Sequence, residues 1–301
     1  MHATLTAEPR AALTAPSGAV EAVRQVLSLP DDEFDHAEAK LALDRAIDPA
    51  IDAVPVLAEL DAMTVKAREL AGPSPDDAAK LNALRKLIYQ SGPCNGHRPF
   101  AYDQSDPLGT RISGKLLSNY LETRLGQCVS MPILFLILGE RLGLDMALAT
   151  APHHVFVRYR DRHGRIVNLE TTSGAHPASD AKMRQGFAMT NLAVRNGLYL
   201  RSLPKREAVA EMASTLVEHL TEKGRHYDVL WITKEILRHS PRNIHAILSM
   251  GTAYGHLIEE IVKKYPMPFL LPVHLRARYE SLCQGNKAAF DAADALGWVP
   301  E

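Results

Sequence analysis

A thiol, an imidazole and a carboxylate or amide occur along this chain in an order that suits nucleophilic acyl transfer. Cys128 follows Gly126-Gln127 and precedes the apolar run Val129 to Leu138, so it stands where a helix N-terminus favours a thiolate. His153 and His154 open the alternating segment Val155-Phe156-Val157-Arg158-Tyr159, and Val167-Asn168-Leu169-Glu170-Thr171 follows. Strand side chains alternate, so His154, Phe156 and Arg158 share one face and Ile166, Asn168 and Glu170 share one face of the next strand. If the two strands form a hairpin, His154 meets Asn168 or Glu170 across the ladder. Cys128 would then be the nucleophile, His154 its base, and Glu170 or Asn168 the group that orients the imidazole. Backbone amides around Cys128, with the Gln127 side chain, would hold the oxyanion.

Each of these residues also has a plainer reading. A free cysteine commonly serves as a small buried hydrophobe, and a histidine as a neutral member of a polar cluster. Two features favour chemistry here: Cys128 precedes the apolar run instead of lying inside it, and the histidine and carboxylate faces match. Metal binding is the competing chemistry in a chain with 13 histidines. Cys94-Asn95-Gly96-His97 has a two-residue gap, and His153, His163 and His176 lie in one region, but no second pair at ligand spacing completes a tetrahedral set. No metal and no cofactor is expected. Gly164 and Gly174 are isolated and make no phosphate loop.

The elements that must position these groups divide the 301 residues into four stretches. Residues 1–17 read as a flexible lead-in without the basic start and apolar core of a signal peptide. Residues 18–90 read as helical, with Val54, Leu57, Leu60, Met63, Val65 and Leu70 near helical spacing. Asp31-Asp32 is expected to start one helix, and Asp76-Asp77 to cap another after the loop Gly72-Pro73-Ser74-Pro75. Residues 91–204 are α+β in character: an ordered irregular loop from Ser91 to Pro107, a helix near 113–123, and the apolar helix opened by the Gly126 turn. Strands follow near 146–149, 155–159 and 166–170, with Asp161-Arg162-His163-Gly164 as a hairpin turn. The Ser91–Pro107 loop and the Ala175–Met189 segment are expected to cover or line a cleft. From 205 to 301 the chain is helical again. Gly251, Ala253 and Tyr254 fall where close helix packing wants small and aromatic residues, a spacing that resembles a tetratricopeptide unit. About one such repeat is visible, so these helices are expected to pack on the middle region.

Composition narrows the class. Hydrophobic content of 46% and charged content of 23% are ordinary for a globular protein. A formal net charge of −1 argues against a nucleic-acid partner. The apolar run is about half the ~20 residues a membrane span needs, so no membrane association is expected. Three cysteines far apart make no disulfide framework, and a reducing cytoplasm is the simplest compartment.

The order of these motifs resembles a family. Leu121-Glu122-Thr123-Arg124-Leu125-Gly126-Gln127-Cys128-Val129-Ser130-Met131-Pro132 and Glu140-Arg141-Leu142-Gly143-Leu144 are similar to segments of the bacterial transglutaminase-like proteins of the SirB type. So are Pro152-His153-His154-Val155-Phe156-Val157-Arg158, Asn168-Leu169-Glu170-Thr171-Thr172-Ser173-Gly174 and, upstream, Tyr102-Asp103-Gln104-Ser105-Asp106-Pro107. The resemblance runs from about residue 30 through the helical tail. It implies a papain-like core, a cysteine-bearing helix on an antiparallel sheet, with helices on both sides. It maps the nucleophile onto Cys128 and the base onto His154. The family's orienting aspartate falls on Glu170, a departure of one methylene, and Asn168 is the substitute on the same face. The implied activity is a cysteine acyl-transfer enzyme acting on amide bonds of a protein or peptide, as protease, amidase or transglutaminase. Relatives of this type often lack the cysteine, which makes a non-catalytic protein that binds a partner through its helical tail the alternative.

Overall fold

The structure, a computed structural model, describes residues 17–30, 33–73 and 76–300. The expected lead-in up to residue 16, the Asp31-Asp32 helix start and Ser74-Pro75 lie outside the described residues. Within them the chain opens with helices: α1 (Gly18–Leu27), α2 (His36–Ile47), α3 (Ala53–Ala71) and α4 (Asp77–Tyr89). Asp35, Asp52 and Asp76 cap α2, α3 and α4, each side chain accepting backbone N–H groups of the first turn. Such a cap satisfies donors that a helix start otherwise leaves unpaired.

The middle of the chain forms β1 (Ala101–Tyr102), α5 (Leu117–Thr123), β2 (Leu125–Gly126) and α6 (Ser130–Arg141). The Ser91–Pro107 segment is irregular except for a 3₁₀ turn over Pro93–Asn95 and β1, which pairs parallel with β2. That pairing is two residues long and carries no periodic signal, so the sequence does not announce it. A continuous antiparallel sheet follows, built from β3 (Asp145–Ala151), β4 (His154–Arg160), β5 (Ile166–Glu170) and β6 (His176–Ala178) in that spatial order. The β3–β4 hairpin turns on Pro152 and His153 alone, with Ala151 opposite His154. Pro152 presets the first central position of such a turn, and His153 takes a left-handed φ of 50° at the second.

α6 is buried along nearly its whole length. It packs on the sheet face that carries Leu148, Val155, Val157, Tyr159 and Leu169. The opposite face, with Ala149, Ala151 and Phe156, packs on a smaller cluster from α7 (Asp180–Gly186), α8 (Asn191–Arg195) and the Leu198–Leu200 segment. The expected alternation of faces on β4 is therefore the observed one.

The remaining helices are α9 (Lys205–Met212), α10 (Ser214–Glu222), α11 (His226–His239), α12 (Ile244–Lys264) and α13 (Val273–Leu296). α12 and α13 pack closely through glycine: a Cβ added at Gly285 would lie 2.5 Å from the Tyr254 ring, and one at Gly251 would lie 2.9 Å from Phe290. One hydrophobic cluster runs from Val20 in α1 through α6 to Ala289 in α13. The helices at both ends of the chain thus share the core of the middle region.

Candidate active site

Cys128 stands just before α6 because Gly126 lets the chain come close to α5. A Cβ at Gly126 would lie 2.5 Å from the Tyr120 ring and 2.8 Å from Ser130 Oγ. Ser130 Oγ accepts the Gln127 N–H (3.0 Å) and donates to the Gly114 carbonyl (2.8 Å). Arg124, in the left-handed region at φ 60°, closes α5 and sends its guanidinium to the Asn95 carbonyl (2.6 Å). Cys128 itself is half-buried, and its Sγ lies 3.8 Å from the carbonyl oxygen of His153 in the hairpin turn. The N–H groups of Cys128 and Val129 have no acceptor among the described residues, as expected for the mouth of a helix.

His154 begins β4 directly after that turn. Its Nε2 is 2.7 Å from Glu170 Oε2, and the two side chains are 9% and 18% exposed. Glu170 is held in turn by Thr172, whose N–H (3.1 Å) and hydroxyl (2.7 Å) both donate to Oε1. The ring of Phe187 stacks on the imidazole with centroids 4.7 Å apart. Burial alone would push the imidazole pKa down, but the interactions with Cys128 and Glu170 outweigh it and raise the pKa to about 9. Burial would likewise raise the Glu170 carboxyl, yet His154 and Thr172 hold it below the ordinary range. A carboxylate and an imidazolium therefore face each other at neutral pH.

Asn168 shares the Glu170 face but sits opposite Arg158, not His154. It is buried, and its amide donates to Asp180 Oδ1 at 2.7 Å. Gln127 is also buried, with Nε2 on the Asp106 carbonyl at 2.9 Å, so its side chain anchors the Asp103–Thr110 loop. Of the two orienting candidates read from the sequence, only Glu170 is brought to His154.

A cleft of about 330 Å³ opens beside Cys128 and His154. Leu108, Gly109 and Thr110, just past the expected loop, form part of it, and Ala188 contributes from the Ala175–Met189 segment. The rest of the wall is unexpected: Glu211, Ser214, Glu218 and His245, from α9, α10 and α12, line the same space with Lys115 and Trp298. Phe187 and Thr172 were also illegible, because nothing in a short irregular segment tells which side chain reaches a distant imidazole. Among the described residues no group of three or more His, Cys, Asp or Glu is placed to hold a metal ion. No helix among them is long and apolar enough to cross a membrane.

A cysteine before a buried helix and a histidine on an antiparallel sheet, meeting at one cleft, are the arrangement expected of a transglutaminase-like core. Residues 55–214, more than half of the 301, match the family model of the transglutaminase-like superfamily. The chain belongs to that superfamily. The match takes in most of α3 and all of α4. Comparisons with curated proteins and with solved structures returned no match.

Proposed function

We propose that this protein is a cysteine acyl-transfer enzyme of the SirB-type branch, acting on an amide bond of a protein or peptide. The observation that carries the reading is Cys128 and His154 on one cleft wall with Glu170 on the imidazole: Sγ at the hairpin turn and Nε2 on Glu170. With Nε2 occupied, Nδ1 is left for Cys128. An imidazolium there stabilises negative charge on Sγ.

In the forward step Sγ attacks the amide carbonyl carbon, and the carbonyl π electrons move to oxygen. The N–H groups of Cys128 and Val129 take the oxyanion; one such donor typically supplies ~3 kcal/mol of the barrier reduction. The C–N bond then breaks, the amine leaves with the proton from His154, and a thioester remains on Cys128. The neutral imidazole next takes a proton from water or an amine as that nucleophile attacks, and the thiolate leaves. Water makes the enzyme a protease or amidase, and an amine makes it a transglutaminase. Glu170 takes the orienting role, its extra methylene accommodated because Thr172 fixes the other carboxylate oxygen. Gln127 and Asn168 serve the loops that frame the cleft.

The test is the rate of Cys128 alkylation by iodoacetamide against pH, read by intact and peptide mass spectrometry in wild type, His154→Ala and Glu170→Gln. The expected result is rapid labelling below neutral pH in wild type, at least ~10-fold slower in His154→Ala, since thiolate is the reactive form. Labelling at the rate of an ordinary thiol in all three sinks the reading. It would leave a transglutaminase-fold protein that binds a partner through its tetratricopeptide-like helices.

A further inference from the structure

The wall of the cleft supplied by α9, α10 and α12 is more polar than an inert support would be. Lys115 and Glu218 face each other across it, with Nζ 2.5 and 2.6 Å from the two carboxylate oxygens, so that cation is already matched. His245 on the same wall is held neutral: burial, with Lys115 and His153 nearby, lowers its pKa to about 4. Glu211 has no such partner. Its carboxylate accepts the Asn243 amide at 2.9 Å and meets no cation among the described residues. Burial lifts its pKa to about 7, only partly offset by Asn243. Ser214, three residues on and also lining the cleft, leaves its Oγ buried without a partner. Beside these polar groups the cleft is walled by Met212, Leu248, Trp298 and Val299.

A half-buried carboxyl group with no cation beside it among the described residues, in a cleft that also has apolar walls and an indole, is complementary to a long side chain with a cationic tip. The alkyl stem buries against the apolar wall, and the ammonium or guanidinium meets the carboxylate and the Trp298 ring. We propose that Glu211 receives a basic side chain, Lys or Arg, of the peptide whose amide Cys128 attacks. Glu211 is then a specificity residue, 83 positions from Cys128 in the chain and joined to it only by the cleft. This deepens the acyl-transfer reading and rests on it.

The experiment is isothermal calorimetry of N-acetyl-lysine methylamide and N-acetyl-norleucine methylamide, which share a stem and differ in the cation. Both are titrated into the full-length Cys128→Ala protein with and without Glu211→Gln. Glutamine keeps the Asn243 contact, and matching circular dichroism confirms that both proteins are folded. The lysine probe is expected to bind about 10-fold tighter or better than the norleucine probe, and Glu211→Gln is expected to erase the difference, as loss of a charged hydrogen bond should. Equal affinities, no binding of either probe, or a preference that survives Glu211→Gln overturns the proposal. An ordinary thiol in the alkylation test, combined with a lysine preference here, would instead overturn the acyl-transfer reading and leave a cation-binding cleft.

Discussion

At the scale of single residues, the pair His154–Glu170 makes a stability statement with a definite sign. The folded imidazole titrates at about 9, above its ordinary 6.5. Its contribution is therefore fully present below about pH 6.5 and is lost as pH rises through about 9. Urea unfolding should show wild type losing on the order of 1–3 kcal/mol across that window, a loss that Glu170→Gln flattens. A wild-type profile with no slope there would contradict the geometry. Glu211 has the opposite effect. An acid raised from 4.5 to about 7 adds no cost below about pH 4.5, and its full cost is present above about pH 7. Glu211→Gln should therefore melt higher than wild type near pH 8, by on the order of 1–3 kcal/mol, and alike near pH 4.5. The sequence puts Cys128 before a helix and His154 and Glu170 on matching strand faces, because β alternation and helix starts are local rules. It cannot separate Glu170 from Asn168, since both lie on one face and only the register and the Asp180 contact tell them apart.

The elements that hold the site are tied by a few buried contacts. Lys40 and Asp44 form a fully buried pair on α2, and Asp44 Oδ2 also accepts the Leu117 N–H of α5 at 2.8 Å. Burial pushes the Asp44 carboxyl up, opposed by Lys40 and Leu117. Asp44→Ala leaves an uncompensated ammonium and an orphaned helix N–H, so chemical denaturation should show a loss of about 3–5 kcal/mol. A loss below ~1 kcal/mol would mean that the pair is not buried as described. Gly126→Ala is expected to act nearer the thiol: its Cβ meets the fixed Tyr120 ring and Ser130. Overpacking of this kind costs roughly 1–3 kcal/mol, and the displaced turn should slow Cys128 alkylation; an unchanged rate would show that the turn gives way elsewhere. The long helices and the strands β3, β4 and β5 are legible because each repeats its period several times. β1, β2 and β6 span two or three residues, too few for any period, and α7 and α8 are short polar helices made visible only by the cluster they cover.

Across the whole molecule, one hydrophobic cluster joins the first helix to the last, so the helical regions are not modules hung on the middle region. Deleting residues 205–301 would bare Leu117, Leu148 and their neighbours, which pack in the same cluster as Val209, Leu216 and Val217. The truncated chain should lose the sharp near-ultraviolet dichroism of a packed core while keeping much of its helix signal. A cooperative melt in the fragment would show the regions to be independent. The sequence by itself determined the α+β class, the helix, strand, strand order and the thiol and imidazole, because hydrophobic period and capping chemistry act over a few residues. Only the tertiary structure decided which of Glu170 and Asn168 meets His154, that Phe187 covers it, and that Glu211 and His245 share a cleft with Cys128. Those contacts join residues far apart in the chain, and no local preference encodes a meeting that is set by the packing of one shared core.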